Sequence, residues 1–213
     1  HLYFNAFQPE SMMDVRSRTI DDPDRRVKDR IEGLGQDEIG FQNIQSLTQH
    51  GTSLDWNIQG TVLKCLLAEP LLPGQTTAFE MNWHAQVPKQ IRRSGRNNKE
   101  GIEYTMTQWY PKLAEYDQDG WHPNQYVGRE FYGVWGSFDI HVNIHRDYVL
   151  GGTGYLQNPE DVGFGYRDLL KLDGEKGKIV TGRGELSLHA DGGLLNSKVD
   201  IVLFYAHKIK NLK

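Results

Sequence analysis

The sequence predicts a mainly β fold, either an antiparallel β-sandwich or a saddle-shaped sheet, with one or two short helices. Two observations predict it. Apolar and polar residues alternate over many short segments, and Pro or Gly interrupts nearly every join between them. Short strands separated by turn signals are typical of antiparallel architectures. A chain of 213 residues has room for one core of ordinary size, so we expect a single domain, residues 1–213.

The first forty residues change character quickly. Residues 1–7 resemble the middle of a strand, whereas residues 16–37 are rich in charge and read as a connection. Within that connection a short helix is expected over residues 21–31. An Asp cap and a Pro precede it, and Val27 and Ile31 are spaced four apart.

From about residue 40 the pattern becomes β. The alternation predicts strands over residues 44–49, 61–68, 78–83, 102–106, 137–144, 178–188 and 198–206. A further helical turn or two is expected over residues 166–171. The Pro- and Gly-rich segment 70–74 is expected to be a turn between two of the strands.

Composition excludes some classes of partner. Charged residues make up 24% of the chain and the net charge is -4, so the sequence offers no basic surface for nucleic acid or an anionic membrane. Apolar runs are much shorter than a membrane helix requires, and no signal segment opens the chain. Because the chain begins at His1 without a Met, we expect that residues preceded it. The single Cys65 is expected to be a small buried apolar residue.

Catalytic templates are missing from the sequence. Zinc peptidases of the H-E-x-x-H type need two His four apart on a helix with a Glu beside the first, and no His here is followed by Glu. His141 and His145 are spaced by four but fall in a strand pattern. Four residues of strand span roughly 13 Å, too far for two ligands of one ion. We expect both histidines to face solvent and no metal to bind to this chain.

The sequence also lacks other catalytic motifs. There is no G-x-S-x-G elbow and no P-loop, and the Gly-rich residues 151–154 are expected to form a turn. Asp117, Asp119, Glu130 and Asp139 are expected to be solvated acids rather than a carboxylate pair for glycoside chemistry.

Aromatic residues are unusually dense in one segment. Nine fall within 30 residues: Trp109, Tyr110, Tyr116, Trp121, Tyr126, Phe131, Tyr132, Trp135 and Phe138. Such density suits a core or an interface with another domain, and it also suits a surface on which sugar rings stack. We favour the core or interface.

Several motifs occur in an order that resembles one known family. They are Glu-Pro-Leu-Leu-Pro-Gly at 69–74, Thr-Gln-Trp-Tyr-Pro-Lys at 107–112, Gly-Arg-Glu-Phe-Tyr-Gly at 128–133 and Phe-Tyr-Ala-His-Lys-Ile at 204–209. Together they resemble the amino-terminal domain of bacterial zinc metallopeptidases of the aminopeptidase N family, the gluzincins. The resemblance spans nearly the whole chain and is most specific in its centre.

The resemblance implies a non-catalytic role. In that family this domain packs on the catalytic domain and closes one wall of the peptide-binding cleft, while zinc and the general-base Glu belong to the catalytic domain. Gln108 matches a polar position that helps hold the free amino group of the substrate. Tyr110 stands where many members carry Glu or Gln, which implies altered specificity. An exported, periplasmic location is the habit of the family.

The expected partners are therefore the catalytic domain and, in the full-length enzyme, a peptide substrate. This chain alone is expected to be inactive and to need no cofactor. The alternative is a stand-alone carbohydrate-binding β-sandwich module that uses the aromatic residues as stacking surfaces. A surface that exposes some of the aromatics of residues 109–135 is expected if another domain docks there.

Overall fold

The structure, a computed structural model, describes residues 1–20, 26–134, 136–145 and 148–158, together with the strand backbones Val180–Gly182, Glu185–Asp191 and Phe204–Lys208. Its strands pair in antiparallel fashion, and one α-helix and one 3-10 helix accompany them. The predicted mainly β, antiparallel fold with one or two short helices is therefore confirmed. No helix in these ranges is long and apolar enough to cross a membrane.

The chain divides into two compact units. The first contains His1–Ile91 and Trp109–Gly133, and the second contains Arg92–Gln108 and Val134–Lys213. The expectation of a single domain stays a prediction.

The first unit begins with helices rather than with a strand. A 3-10 helix covers Tyr3–Ala6, and the helix α1 covers Met12–Thr19. The predicted strand at residues 1–7 is wrong because its apolar residues form one continuous buried run instead of alternating. α1 begins where the Ser11 hydroxyl accepts a hydrogen bond from the backbone N–H of Asp14, 3.1 Å away.

The short helix predicted over residues 21–31 is also wrong in its described part. Residues 26–33 form turns, closed by bonds from Arg30 N to Val27 O (2.9 Å) and from Leu34 N to Ile31 O (3.1 Å). Both bonds span three residues rather than four, and Lys28 has a positive φ of 43° that an α-helix does not admit. Val27 and Ile31 are nevertheless buried in the core. Their spacing of four residues therefore marks two buried positions in a run of turns, not one face of a helix.

Three small sheets complete the first unit. The strands are β1 (Phe41–Gln49), β2 (Thr52–Ser53), β3 (Trp56–Gln59), β4 (Val62–Cys65), β5 (Phe79–Gln86), β8 (Tyr116–Asp117) and β9 (Gly120–Trp121). They pair in the orders β2-β1-β5, β3-β4 and β8-β9. The long β1–β5 pair runs from Phe41 opposite Gln86 to Gln49 opposite Phe79, with a register shift between Ile44 and Ser46. The predicted strands at 44–49 and 78–83 are thus confirmed, and the one at 61–68 is shorter than expected.

The core of the first unit is largely aromatic and is built on the amino-terminal segment. Tyr3 lies edge-on to Tyr126 (4.7 Å between ring centroids) and to Phe7 (5.2 Å). The buried cluster comprises Tyr3, Phe4, Ala6, Phe7, Met13, Val27, Ile31, Ile91, Tyr126 and Phe131. Residues far apart in sequence therefore hold the segment that precedes β1.

The second unit consists of strands. They are β6 (Gly95–Arg96), β7 (Tyr104–Met106), β10 (Ser137–Asn143), β11 (Tyr148–Gly152), β12 (Tyr155–Leu156), β13 (Val180–Gly182), β14 (Glu185–Asp191) and β15 (Phe204–Lys208). They form a five-stranded sheet in the order β13-β11-β15-β7-β6 and a three-stranded sheet in the order β10-β14-β12. The predicted strands at 102–106 and 137–144 are confirmed. The predicted helical turn at 166–171 lies outside the described residues.

Candidate functional site

The segment that carries the predicted site residues is fastened on both sides of Gln108. On one side, the buried Ser94 hydroxyl donates to Thr107 O (2.8 Å) and accepts from Thr107 N (2.9 Å). The Ser94 and Thr107 hydroxyls are also hydrogen-bonded to each other. On the other side, the Gln42 amide donates to Trp109 O at 2.9 Å. Buried polar groups that are paired in this way specify one backbone conformation.

Gln108 itself has a strained backbone. Its φ of +51° lies in the left-handed region, and its side chain is buried. Residues other than Gly seldom adopt this conformation, and it persists where the surrounding structure imposes it, often at functional sites. The hydrogen bonds on Thr107 and on Trp109 fix the backbone of the two neighbours of Gln108.

Tyr110, the second predicted site residue, is half-buried and lies edge-on to Trp109, with ring centroids 5.5 Å apart. Gln108 closes a segment of the second unit, and Tyr110 belongs to the first unit. A phenol at position 110 can donate or accept one hydrogen bond, whereas a carboxylate at the same place would also carry charge toward an ammonium group.

The Gln42 side chain hydrogen-bonds to two separate backbone segments of the first unit. Its amide oxygen accepts from Phe4 N at 3.2 Å while its amide nitrogen donates to Trp109 O. Its own backbone N–H donates to the Asn5 side chain at 2.8 Å. Gln42 was not a predicted site residue, because a glutamine in a half-polar strand carries no signal of burial.

The dense aromatic segment divides between core and surface. Tyr126 and Phe131 are buried, whereas Tyr116, Trp121 and Tyr132 are 61%, 57% and 51% exposed. The expectation that part of this segment stays exposed is confirmed. Trp135 lies outside the described residues.

Two of these exposed aromatics, Tyr116 and Trp121, lie on a short hairpin. β8 and β9 pair Tyr116 with Trp121, whose rings lie 5.0 Å apart at 61° to each other. The turn is closed by a bond from Asp119 N to the Asp117 carboxylate (2.9 Å), and Gly120 supplies a φ of +95°. We call residues 115–122 together with Tyr132 the aromatic hairpin surface.

The Asp117 carboxylate accepts hydrogen bonds from neighbouring groups of this surface. It accepts from His122 Nε2 at 2.8 Å and from the backbone N–H of Asp119 at 2.9 Å. The bonds from His122 and from the backbone of Asp119 hold the pKa of Asp117 below its usual value. Partial burial raises the pKa of Tyr132, as do the nearby charges of Asp117 and Glu115. The four predicted solvated acids thus include one that positions its neighbours.

The other predicted groups are not brought together into a site. His141 is exposed on β10 and His145 is exposed two residues after the strand ends. Gly151 and Gly152 end β11, and residues 153–154 lead into β12, so the Gly-rich segment joins two strands. Within the described parts of the chain, no three His, Cys, Asp or Glu side chains converge as metal ligands would. These residues do not fit a zinc site.

Cys65 is half-buried rather than buried. It lies on β4 opposite Trp56, and burial raises the pKa of its thiol. A raised pKa keeps the thiol protonated and unreactive.

No protein-family model matches the chain, and no solved structure matches it either.

Proposed function

We propose that this chain is a non-catalytic, β-rich amino-terminal domain of a zinc metallopeptidase, an aminopeptidase by resemblance. It acts as a scaffold and as one wall of the peptide-binding cleft. Zinc and the hydrolytic groups belong to a catalytic domain outside these 213 residues. The proposal rests on the motifs of residues 107–112 and 128–133.

The observation that carries the proposal is the conformation of Gln108. A strained residue whose neighbours are fixed by buried hydrogen bonds on one side and a partly buried one on the other costs free energy to maintain, and such strain is common at functional sites. An amide oxygen held in place can accept a hydrogen bond from an ammonium group without itself carrying charge. We therefore assign Gln108 to recognition of the substrate amino group.

Tyr110 adjusts this recognition. Its ring is held edge-on to Trp109, whose backbone is fastened by Gln42. Because Tyr has neither the charge of Glu nor the carbonyl oxygen of Gln that many members of the resembled family carry at this position, we assign Tyr110 to selectivity rather than to strong binding of the amino group.

The first test is the intact mass of the native polypeptide, measured with its terminal peptides. We expect a mass well above 24.4 kDa and peptides that contain H-E-x-x-H. A native polypeptide that stops at 24.4 kDa would overturn the proposal.

The second test is Gln108→Ala in that full-length enzyme. A hydrogen bond to a charged group is worth about 1.5 kcal/mol or more, so kcat/KM for a peptide with a free amino group should fall about tenfold. The loss should be smaller for the acetylated peptide. Gln45→Ala, at an exposed position of β1, is the control and should change neither.

A second candidate function is that of a carbohydrate-binding module, and the exposed rings of Tyr116, Trp121 and Tyr132 favour it. It predicts that the isolated chain binds oligosaccharides and that Trp121→Ala abolishes this binding. The peptidase scaffold predicts no such affinity.

A further inference from the structure

The aromatic hairpin surface combines open rings with fixed geometry. Tyr116, Trp121 and Tyr132 are each more than half exposed, yet Tyr116 and Trp121 contact each other across a strand pair and the Tyr132 ring packs edge-on against His122. Exposed aromatics normally indicate an interaction site, and side chains that are already ordered lose little entropy on binding.

The angles between the rings bear on what can bind. Tyr116 and Trp121 meet at 61°, and His122 and Tyr132 meet at 67° with centroids 4.7 Å apart. Each pair is in edge-to-face contact, so the space between its two rings is filled and only the outward ring faces are available to a ligand. A cation is attracted to the face of an aromatic ring.

The charge of the aromatic hairpin surface also favours a cationic ligand. Residues 115–122 contain three carboxylates, those of Glu115, Asp117 and Asp119, and no Lys or Arg. Glu115 lies next to Tyr132, because its backbone N–H donates to Tyr132 O at 3.2 Å. Negative charge beside aromatic faces is complementary to an ammonium or guanidinium group and adds to the attraction of the rings.

We propose that the aromatic hairpin surface binds a basic peptide segment, with an Arg or Lys side chain seated against Trp121 and Tyr116 beside the carboxylates of Glu115 and Asp119. Asp117 is a positioning residue, because its carboxylate is engaged by His122 and by the backbone of the turn. The inference rests on the proposed function in one respect, since it takes the ligand to be a protein segment that docks on a scaffold.

The test uses the purified 213-residue chain and an acetylated Gly-Arg-Gly-Arg-Gly amide. The matched probe replaces each Arg by citrulline, which keeps the length and planar shape of the side chain but removes the charge and replaces one NH2 donor by a carbonyl acceptor. NMR titration follows the indole N–H of Trp121, identified by its absence in Trp121→Ala. Chitohexaose and cellohexaose serve as sugar probes.

We expect the Arg peptide, but not the citrulline peptide, to shift the Trp121 signal, and added salt to weaken the binding. Trp121→Ala should weaken binding at least tenfold, and Asp119→Asn should weaken it less. Trp56→Ala, at a half-buried position on β3, should leave the affinity unchanged.

Equal binding of the two peptides, binding of neither, or a shift of Trp121 with a sugar alone would overturn the inference. These outcomes are separable from the fate of the proposed function. Failure of the Arg peptide while the native polypeptide carries H-E-x-x-H contradicts the inference alone. A native mass of 24.4 kDa contradicts the proposed function whatever the peptides do.

Discussion

Gln42 and Asp117 perform the same task in two different surroundings of the first unit. Gln42 is 1% exposed and fastens the backbones of Phe4 and Trp109, whereas the Asp117 side chain is 26% exposed and fastens the backbone of Asp119 and the His122 ring. The buried position uses a neutral amide that both donates and accepts. The position near solvent uses a charged group that only accepts. The difference follows from the cost of burying charge, which is large in the core and small where water still reaches the group.

The largest effect is expected from giving the buried position the chemistry of the exposed one. Gln42→Glu at pH 7 would place a carboxylate in the core, remove the donor to Trp109 O and set two oxygens against each other. We expect the free energy of unfolding to fall by about 4 kcal/mol, as for other uncompensated buried charges. Urea denaturation measures it.

The control for this substitution is Gln45→Glu, which makes the same change on the exposed side of β1 and should cost less than about 0.5 kcal/mol. Part of the Gln42→Glu loss should be recovered near pH 4, because a protonated Glu regains a donor. An equal cost at both positions would contradict the role given to Gln42.

A smaller effect is expected at Gln108, whose backbone the buried anchors hold in the left-handed region. Gln108→Gly and Gln108→Ala both remove the side chain, but only Gly adopts this φ without strain. The Gly variant should therefore be more stable than the Ala variant by about 1 kcal/mol. Thermal unfolding of the pair measures the difference.

The same pair at Gln45, where φ is not positive, should show the opposite order, because Gly is the less stable residue in a strand. If Ala were also the better residue at position 108, the strain would not exist.

The smallest effect is expected at Asp117. Its pKa in the folded chain lies below the usual 3.8, so the stability it contributes is complete above pH 3.8 and is lost as the pH falls through the folded-state pKa. Asp117→Asn should therefore lower the melting temperature at pH 7 and change it less at pH 3. The difference between wild type and variant should stay constant down to about pH 3.8 and shrink only below it. A difference that is constant from pH 7 to pH 3 would show that the carboxylate charge plays no part.

The fold class was predictable from sequence because alternation and turn residues are local signals. β1, β5, β7 and β10 lie where alternating residues predicted them. The helix α1 carried a local signal as well, since Ser11 precedes Asp14 by three residues in the manner of an N-cap. The 3-10 helix of Tyr3–Ala6 had no such signal, because a continuous apolar run suits a buried strand and a buried helix equally.

The candidate site was predictable in part. Gln108 and Tyr110 came from the resemblance, and the aromatic density of residues 109–138 was visible in the sequence. The strain at Gln108 and the two buried anchors could not be predicted, since Ser94 and Gln42 reach the segment across 13 and 67 residues.

The sequence by itself determined that the chain is a mainly β protein with an acidic, aromatic segment and without the H-E-x-x-H spacing. Only the tertiary structure decided which aromatics enter the core, which remain on the surface, and which polar side chains fix the neighbours of Gln108 and the hairpin. The physical reason is the distance along the sequence over which each kind of interaction acts. Alternation, caps and turns act between neighbours along the chain, whereas burial and the pairing of polar groups depend on residues that meet only after folding.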